Sequence, residues 1–313
     1  MLRTIIVPLD GSEQAERALP YAVRLALAGS GRLALVRVAL APPPSGFDWE
    51  RQQLAALQEA EAYLADVASK LATRVPVTTA APYGKTPAKL LEAVSSIQAD
   101  AIVMATHARS GLDHLLHGSV AEVVLAHSPV PVFLVCARSA EVPTPPFDPS
   151  SARILVPLDG STLSEAALPS AIQLLGTVGE LVLVGVATPP DHVERDDRGR
   201  PRAFLDQQEE SLKREAFDYL RDIVAQLKQT NPDLRATIDV RVGDPAPGIV
   251  MAELDRGADL VVMSTHGRTG LGRAVMGSVA GEVLRTGSAP IVLVGPAIAA
   301  ATVQTARVGV LSA

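Results

Sequence analysis

The chain has 313 residues, 20% of them charged, and its 28 Lys and Arg against 34 Asp and Glu leave a net charge of −6. No Lys/Arg block rises above that background, which argues against nucleic acid or an anionic membrane as partner and leaves a small molecule or a protein. The lone Cys136 offers no disulfide framework, no signal-peptide region follows the Met-Leu-Arg start, and no stretch approaches the ~18 apolar residues of a membrane span, so a cytoplasmic protein is expected.

Short β-branched runs alternate with longer helical patterns along the chain. Strands are predicted over 4–9, 33–39, 75–82, 101–105 and 130–135, and again over 154–158, 181–187, 237–242, 260–264 and 291–294. Between them, segments such as 13–28 and 49–71 are rich in Ala, Leu, Glu and Arg, with apolar residues three and four apart. That spacing makes helices able to cover a sheet, so each half reads as an open five-stranded parallel α/β layer with helices on both faces.

The two halves are copies. Val-Pro-Leu-Asp-Gly-Ser stands at 7–12 and again at 156–161, and 99–125 and 258–284 share Thr-His, Gly-Leu and Gly-Ser-Val-Ala at matched positions. The offset is 149 at Asp10/Asp159, 148 at Leu33/Leu181, 156 at Tyr63/Tyr219 and 159 at Gly84/Gly243, so most of the extra length enters at 188–201, expected to be a mobile surface loop. A period this long leads to the expectation that each copy buries its own core. The first domain is expected over 1–138, a connector holding four prolines over 139–151, the second domain over 152–296 and a low-complexity tail over 297–313.

Open α/β sheets bind ligands outside the carboxyl ends of their strands, and the unusual residues collect there. After the first strand comes Asp-Gly-Ser, in which Gly permits a tight turn and Ser12 or Ser161 can cap the next helix. A turn acid is the plain reading of Asp10 and Asp159, but recurrence at the same strand end favours a functional one. After the fourth strand the second copy reads Met263-Ser264-Thr265-His266-Gly267-Arg268 and, after eight further residues, Gly277-Ser278-Val279-Ala280. A Gly-bearing loop ending in Gly-Ser at a helix start supplies backbone N–H groups, a hydroxyl and the positive end of a helix dipole, the parts of a phosphate cradle.

This pattern resembles the ATP-binding motif of the universal stress proteins, Gly-two residues-Gly-nine residues-Gly-Ser, and the whole chain looks like a tandem member with the adenine-nucleotide alpha-hydrolase-like fold. The resemblance implies that Asp159 and Asp10 contact adenine and that the backbone at Val186 and Val38 meets the base. It implies that the run from Met263 through Ser264, His266 and Gly267, with Gly277, Ser278 and Val279, holds ribose and phosphates. In the first copy those places are Ala105, His107, Ala108, Gly118, Ser119 and Val120. The implied ligand is ATP or another adenine nucleotide, with or without Mg²⁺. Copy two has Ser264 for the first motif glycine, whereas copy one has Ala105 and Ala108 for two of the three. Copy two is therefore expected to bind better. The resemblance also implies that the apolar fifth strands pair within the chain, hiding two sheet edges; a homodimer and further protein partners are left open.

Other motifs are weaker. Gly84-Lys85-Thr86 imitates the end of a P-loop, but Thr79 stands where its first Gly should be. His107, His114, His117 and His127 crowd one region, yet copy two has Arg273 and Met276 at the last two matched places of that loop, and surface or packing histidines are the reading. No Cys-x-x-Cys, nucleophile elbow or His-Glu-x-x-His occurs. The expectation is a nucleotide-binding regulatory or protective module rather than an enzyme. A slow ATPase or nucleotide-transfer enzyme and a dimerisation module that binds no nucleotide are the rivals.

Overall fold

The computed structural model describes residues 2–40, 49–106, 119–135, 148, 151–176, 178–189, 205–265 and 276–300. The first copy runs β1 (Thr4–Pro8), α1 (Glu13–Glu16), α2 (Leu19–Ala28), β2 (Arg32–Val36), α3 (Trp49–Leu71), β3 (Val77–Ala80), α4 (Thr86–Ser96), β4 (Ala101–Ala105), α5 (Ser119–His127) and β5 (Val132–Val135). The second runs β6 (Arg153–Pro157), α6 (Thr162–Glu165), α7 (Ala167–Leu174), β7 (Glu180–Ala187), α8 (Leu205–Thr230), β8 (Arg235–Val242), α9 (Pro245–Arg256), β9 (Leu260–Ser264), α10 (Ser278–Thr286) and β10 (Ile291–Val294). Cys136, His107, His114 and His117, the connector except for Asp148 and Ser151, most of the insertion and the tail beyond 300 lie outside the described residues.

All strands form one sheet in the order β3-β2-β1-β4-β5-β10-β9-β6-β7-β8. Pairing is parallel within each copy and antiparallel at the seam, where Ile291 faces Leu134, Val292 faces Phe133 and Leu293 faces Val132. The fifth-strand edges thus cover each other. One buried cluster, including Ile5, Val7, Phe133, Ile154, Val262 and Val292, runs under α2, α3, α7 and α8. A second, including Ile6, Ile102, Leu134, Leu155, Val261 and Leu293, runs under α4, α5, α9 and α10. Both clusters cross the seam, so the two copies share their cores rather than each burying its own as expected, because pairing β5 with β10 makes the sheet faces continuous.

The elements differ from the sequence pattern where proline intervenes. The helix predicted over 13–28 is two helices in the structure, because the Pro20 ring would meet the carbonyl of Glu16, four residues back. Pro169 divides α6 from α7 in the same way, four residues after Glu165. The strand predicted over 75–82 shortens to Val77–Ala80, since Pro76 and Pro82 have no N–H for the ladder; their carbonyls still accept from Leu33 and Ala39.

Two devices pin the framework. At the amino ends of the strands, Asp100 accepts the N–H groups of Arg3 and Thr4, both at 2.7 Å, and Asp259 accepts that of Arg153 at 2.8 Å. On the outer strand β8, the nearly buried Asp239 is held by Arg241 and by Arg256, whose Nε lies 2.8 Å from it, while Arg241 also reaches Asp255. Copy one has Ala80 and Pro82 at the places of Asp239 and Arg241, so this charged lock belongs to the longer edge of copy two alone.

Burial by itself would raise the Asp239 pKa, but the hydrogen bonds from Arg241 and Arg256 outweigh it and the net shift is downward. A depressed folded-state pKa contributes stability above the unfolded value of about 3.9, and that contribution is lost as pH falls through the folded value. Asp239→Asn should therefore be less stable than the wild type at pH 6, with the gap closing towards pH 3; urea denaturation at the two values checks this. At the seam, Val292 is fully buried. Val292→Lys should cost at least about 3 kcal/mol in denaturant unfolding, because an ammonium there has neither water nor a counter-ion.

Candidate nucleotide-binding site

The carboxyl ends of β6, β7 and β9 open into a cavity of about 250 Å³. Its walls bring together Asp159, Val186, Met263, Ser264, Gly277, Ser278 and Val279. His266 and Gly267 lie outside the described residues. The matching cavity of copy one, about 260 Å³, is lined by Asp10, Val38, Ala105 and Val120. Gly118 lies outside the described residues, and Ser119 opens α5 with its side chain outside them.

Asp159 is aimed by its own turn. Leu158 N–H extends the β6 ladder to Val184 O, and Gly160 then takes φ 82°, a left-handed conformation that glycine adopts without steric cost. The turn brings Ser161 back onto the carboxylate, its N–H 3.0 Å and its hydroxyl 2.6 Å from Asp159 Oδ1. Ser161 Oγ also accepts Ser164 N–H, at 3.1 Å, and so caps α6. Ser164, which lines the cavity, accepts Asp159 N–H at 3.3 Å and donates to Ser161 O at 2.8 Å. In copy one Gly11 has φ 90°, and Ser12 N–H and Oγ lie 2.9 and 2.6 Å from Asp10 Oδ1. The carboxylate is thus a fixed feature of both turns.

A tyrosine bolts the long helix to each turn. Tyr219 on α8 donates to Glu165 at 2.9 Å, and Tyr63 on α3 donates to Glu16 at 2.8 Å. Burial first, and then the hydrogen-bonded carboxylate, push both phenols above their ordinary pKa, so they remain neutral donors. In copy one Arg37 also lies over the Tyr63 ring, 4.9 Å from its centre, and pairs with Glu59.

The opposite wall is a helix start. Gly277 N–H is spent on Thr265 O at 2.7 Å, which folds the start of α10 back onto the end of β9. The N–H groups that remain belong to Ser278, Val279 and Ala280, the first turn of α10, which line the cavity and receive no side-chain cap. First-turn N–H groups have no acceptor within their helix and carry its positive dipole end.

Several wall residues carry no sequence motif. Pro245 and Ile249, with Thr86 and Leu90 in copy one, reach the cavities from the helices after β8 and β3. The matched turns at Gly243 (φ 128°) and Gly84 (φ 138°) explain the P-loop look-alike: glycine is there to turn a strand into a helix. Topology could have found these residues, since that turn stands beside the end of the second strand. A wider depression of about 490 Å³ lies at the amino ends of β6, β7 and β8, but there Arg153 is already paired with Glu180 at 2.9 Å. Among the described residues no group of three or more His, Cys, Asp or Glu could hold a metal ion, and no helix is long and apolar enough to cross a membrane.

Comparison with known proteins adds the family. A model described as the universal stress protein family matches residues 1–135 and 151–295. A universal stress protein of Mycobacterium tuberculosis is 29% identical over 209 residues, which cover 66% of this chain and 65% of the relative's own length. One from Thermus aquaticus is 34% identical over 139 residues, 43% of this chain and 99% of that protein. The crystal structure of a universal stress protein from Archaeoglobus fulgidus shares the fold at 20% identity and a TM-score of 0.64, covering 93% of this chain and 96% of its own.

The serine that caps α6 also orients the acid. Ser161→Ala should lower stability by about 1 kcal/mol in urea denaturation, the usual cost of an N-cap. Gly at the same place should lower it less, because without a Cβ water can reach the first N–H groups of α6 that the hydroxyl no longer caps.

Proposed function

Since the chain belongs to the universal stress protein family, we propose that its carboxyl-terminal cavity binds an adenine nucleotide, ATP foremost, and that occupancy rather than turnover is what this stress-response protein uses. The observation that carries this reading is the convergence, in one cavity, of an oriented carboxylate and an uncapped helix start. Asp159 and the Val186 backbone would hold the base, an amino group donating to the carboxylate. Ser264, Ser278 and the first turn of α10 would hold ribose and phosphates. The apolar walls supplied by Val184, Ile249 and Met263 suit a flat ring.

Asp159 is the only carboxylate among the described cavity residues, and its Oδ1 already accepts from Ser161. A general base and a second acid for dedicated hydrolysis are not among those residues, which favours binding over catalysis. Mg²⁺, in this reading, travels with the nucleotide's phosphates. The two cavities are unequal for ATP, because Ala105 removes the hydroxyl that Ser264 provides and Ala108 stands where copy two has Gly267. Losing two hydrogen bonds to an anionic phosphate costs on the order of 3 kcal/mol, roughly a hundredfold in affinity.

Gly277 has φ −65° and ψ 157°, values any residue adopts, so Gly277→Leu should fold normally while filling space at the helix start. Calorimetric titration should show ATP affinity reduced at least about tenfold in this variant. Unchanged affinity in a variant of wild-type thermal stability would overturn the site assignment.

A further inference from the structure

The cavity of copy one is as large as that of copy two, although its motif is the poorer match. Around a threonine common to both, Thr106 here and Thr265 in copy two, most of its polar groups are different ones. Thr106, the residue after β4, lines it and is 4% exposed, yet its Oγ1 has no hydrogen-bond partner. The backbone around that hydroxyl is fixed on both sides: Thr106 N–H donates to Val135 O at 3.0 Å, and Gln14 Nε2 donates to Thr106 O at 3.1 Å. A buried hydroxyl left without a partner is destabilising, and such groups in folded proteins call for a missing partner.

The remaining lining says what kind of partner fits. The base end is unchanged: the Asp10 carboxylate is oriented by Ser12 as Asp159 is by Ser161, between Val36, Val38 and Leu90. Away from it, alanines at 15 and 105 replace Ser164 and Ser264, and Thr86 brings a second neutral hydroxyl where copy two has Pro245. Past the end of β2, Leu40 is 65% exposed, and the preceding Ala39 is joined to Tyr83 by a parallel bridge. Copy two has Thr188 at the place of Leu40. Among the described lining residues there are one carboxylate and two hydroxyls, Thr86 and Thr106, and the hydroxyls of Ser164 and Ser264 have no counterpart; that set suits a ring compound that carries amino and hydroxyl groups and offers a phosphate chain less than copy two does.

We propose that the amino-terminal cavity is a ligand site in its own right, which takes an adenine nucleoside in preference to ATP and engages it through Asp10 and Thr106 Oγ1. This rests on reading the Asp10 and Asp159 ends of both cavities as base pockets. The chain then holds two sites of different specificity, one for the charged and one for the uncharged form of a related ligand.

The test is calorimetric titration of the full chain with adenosine and, separately, with ATP, for the wild type, Thr106→Val and Asp159→Asn. Valine keeps the shape of threonine without the hydroxyl, so folding is preserved and thermal unfolding verifies it. Thr106→Val should weaken adenosine binding about tenfold, the loss of one hydrogen bond, and leave ATP affinity unchanged. Asp159→Asn should weaken ATP binding and retain adenosine binding. Adenosine affinity indifferent to Thr106→Val, or lost along with ATP in Asp159→Asn, overturns the proposal. ATP binding without any adenosine binding overturns it while leaving the nucleotide reading of copy two intact. Adenosine binding that depends on Thr106, without any ATP binding, supports it and overturns that reading instead.

Discussion

Everything in this molecule depends on the antiparallel meeting of β5 and β10. Each is a four-residue, wholly buried strand with a parallel neighbour inside its own copy on one side. Its other side would present unpaired backbone groups and apolar side chains to water, and such edges recruit partners. Pairing them with each other turns two five-stranded layers into one sheet and makes both buried clusters continuous across the seam. Because strand direction reverses there, the carboxyl ends of the two copies, and with them the two cavities, face opposite ways along the sheet.

On that shared frame the copies keep geometry and exchange chemistry. The turn before the last strand is a clear case. In copy one, Ser128 holds it alone, donating to Val130 O at 2.6 Å and accepting Val130 N–H at 3.2 Å. In copy two, Glu253 reaches over from α9, and its Oε1 accepts from Ser288 N–H, Ser288 Oγ and Ala289 N–H at 2.6 to 2.7 Å. Gly287 is what allows the approach, since a Cβ there would lie 2.6 Å from Glu253 Oε2. The cavities follow the same rule: the Asp-Gly-Ser turn is common to both, while the walls beyond it diverge. Duplication of a framework that does not need identical side chains leaves each copy free to take its own ligand.

Much of this was legible in the residues. Strands four and nine and the tenth appear with the bounds their β-branched runs suggest; the acids and the Gly-Ser helix start are marked by recurrence at matched strand ends, whereas Val38 and Val186 come from the family resemblance. The helix break at Pro20 was legible in principle and was masked by a strong Ala/Leu pattern on either side. Other features could not be read. Thr106 and Ser164 are ordinary polar residues in sequence, and their meaning comes from a partner that is missing in one case and from a turn that returns to the acid in the other. The Asp239 lock joins residues up to 17 positions apart, across a strand and a helix whose packing no local pattern specifies.

The central claim is that one cavity of the two, the carboxyl-terminal one, is the ATP site of the chain. Equilibrium dialysis against labelled ATP, carried to saturation, measures it most directly. The account predicts one ATP bound per chain. Two equivalent ATP molecules per chain, or none, would contradict it.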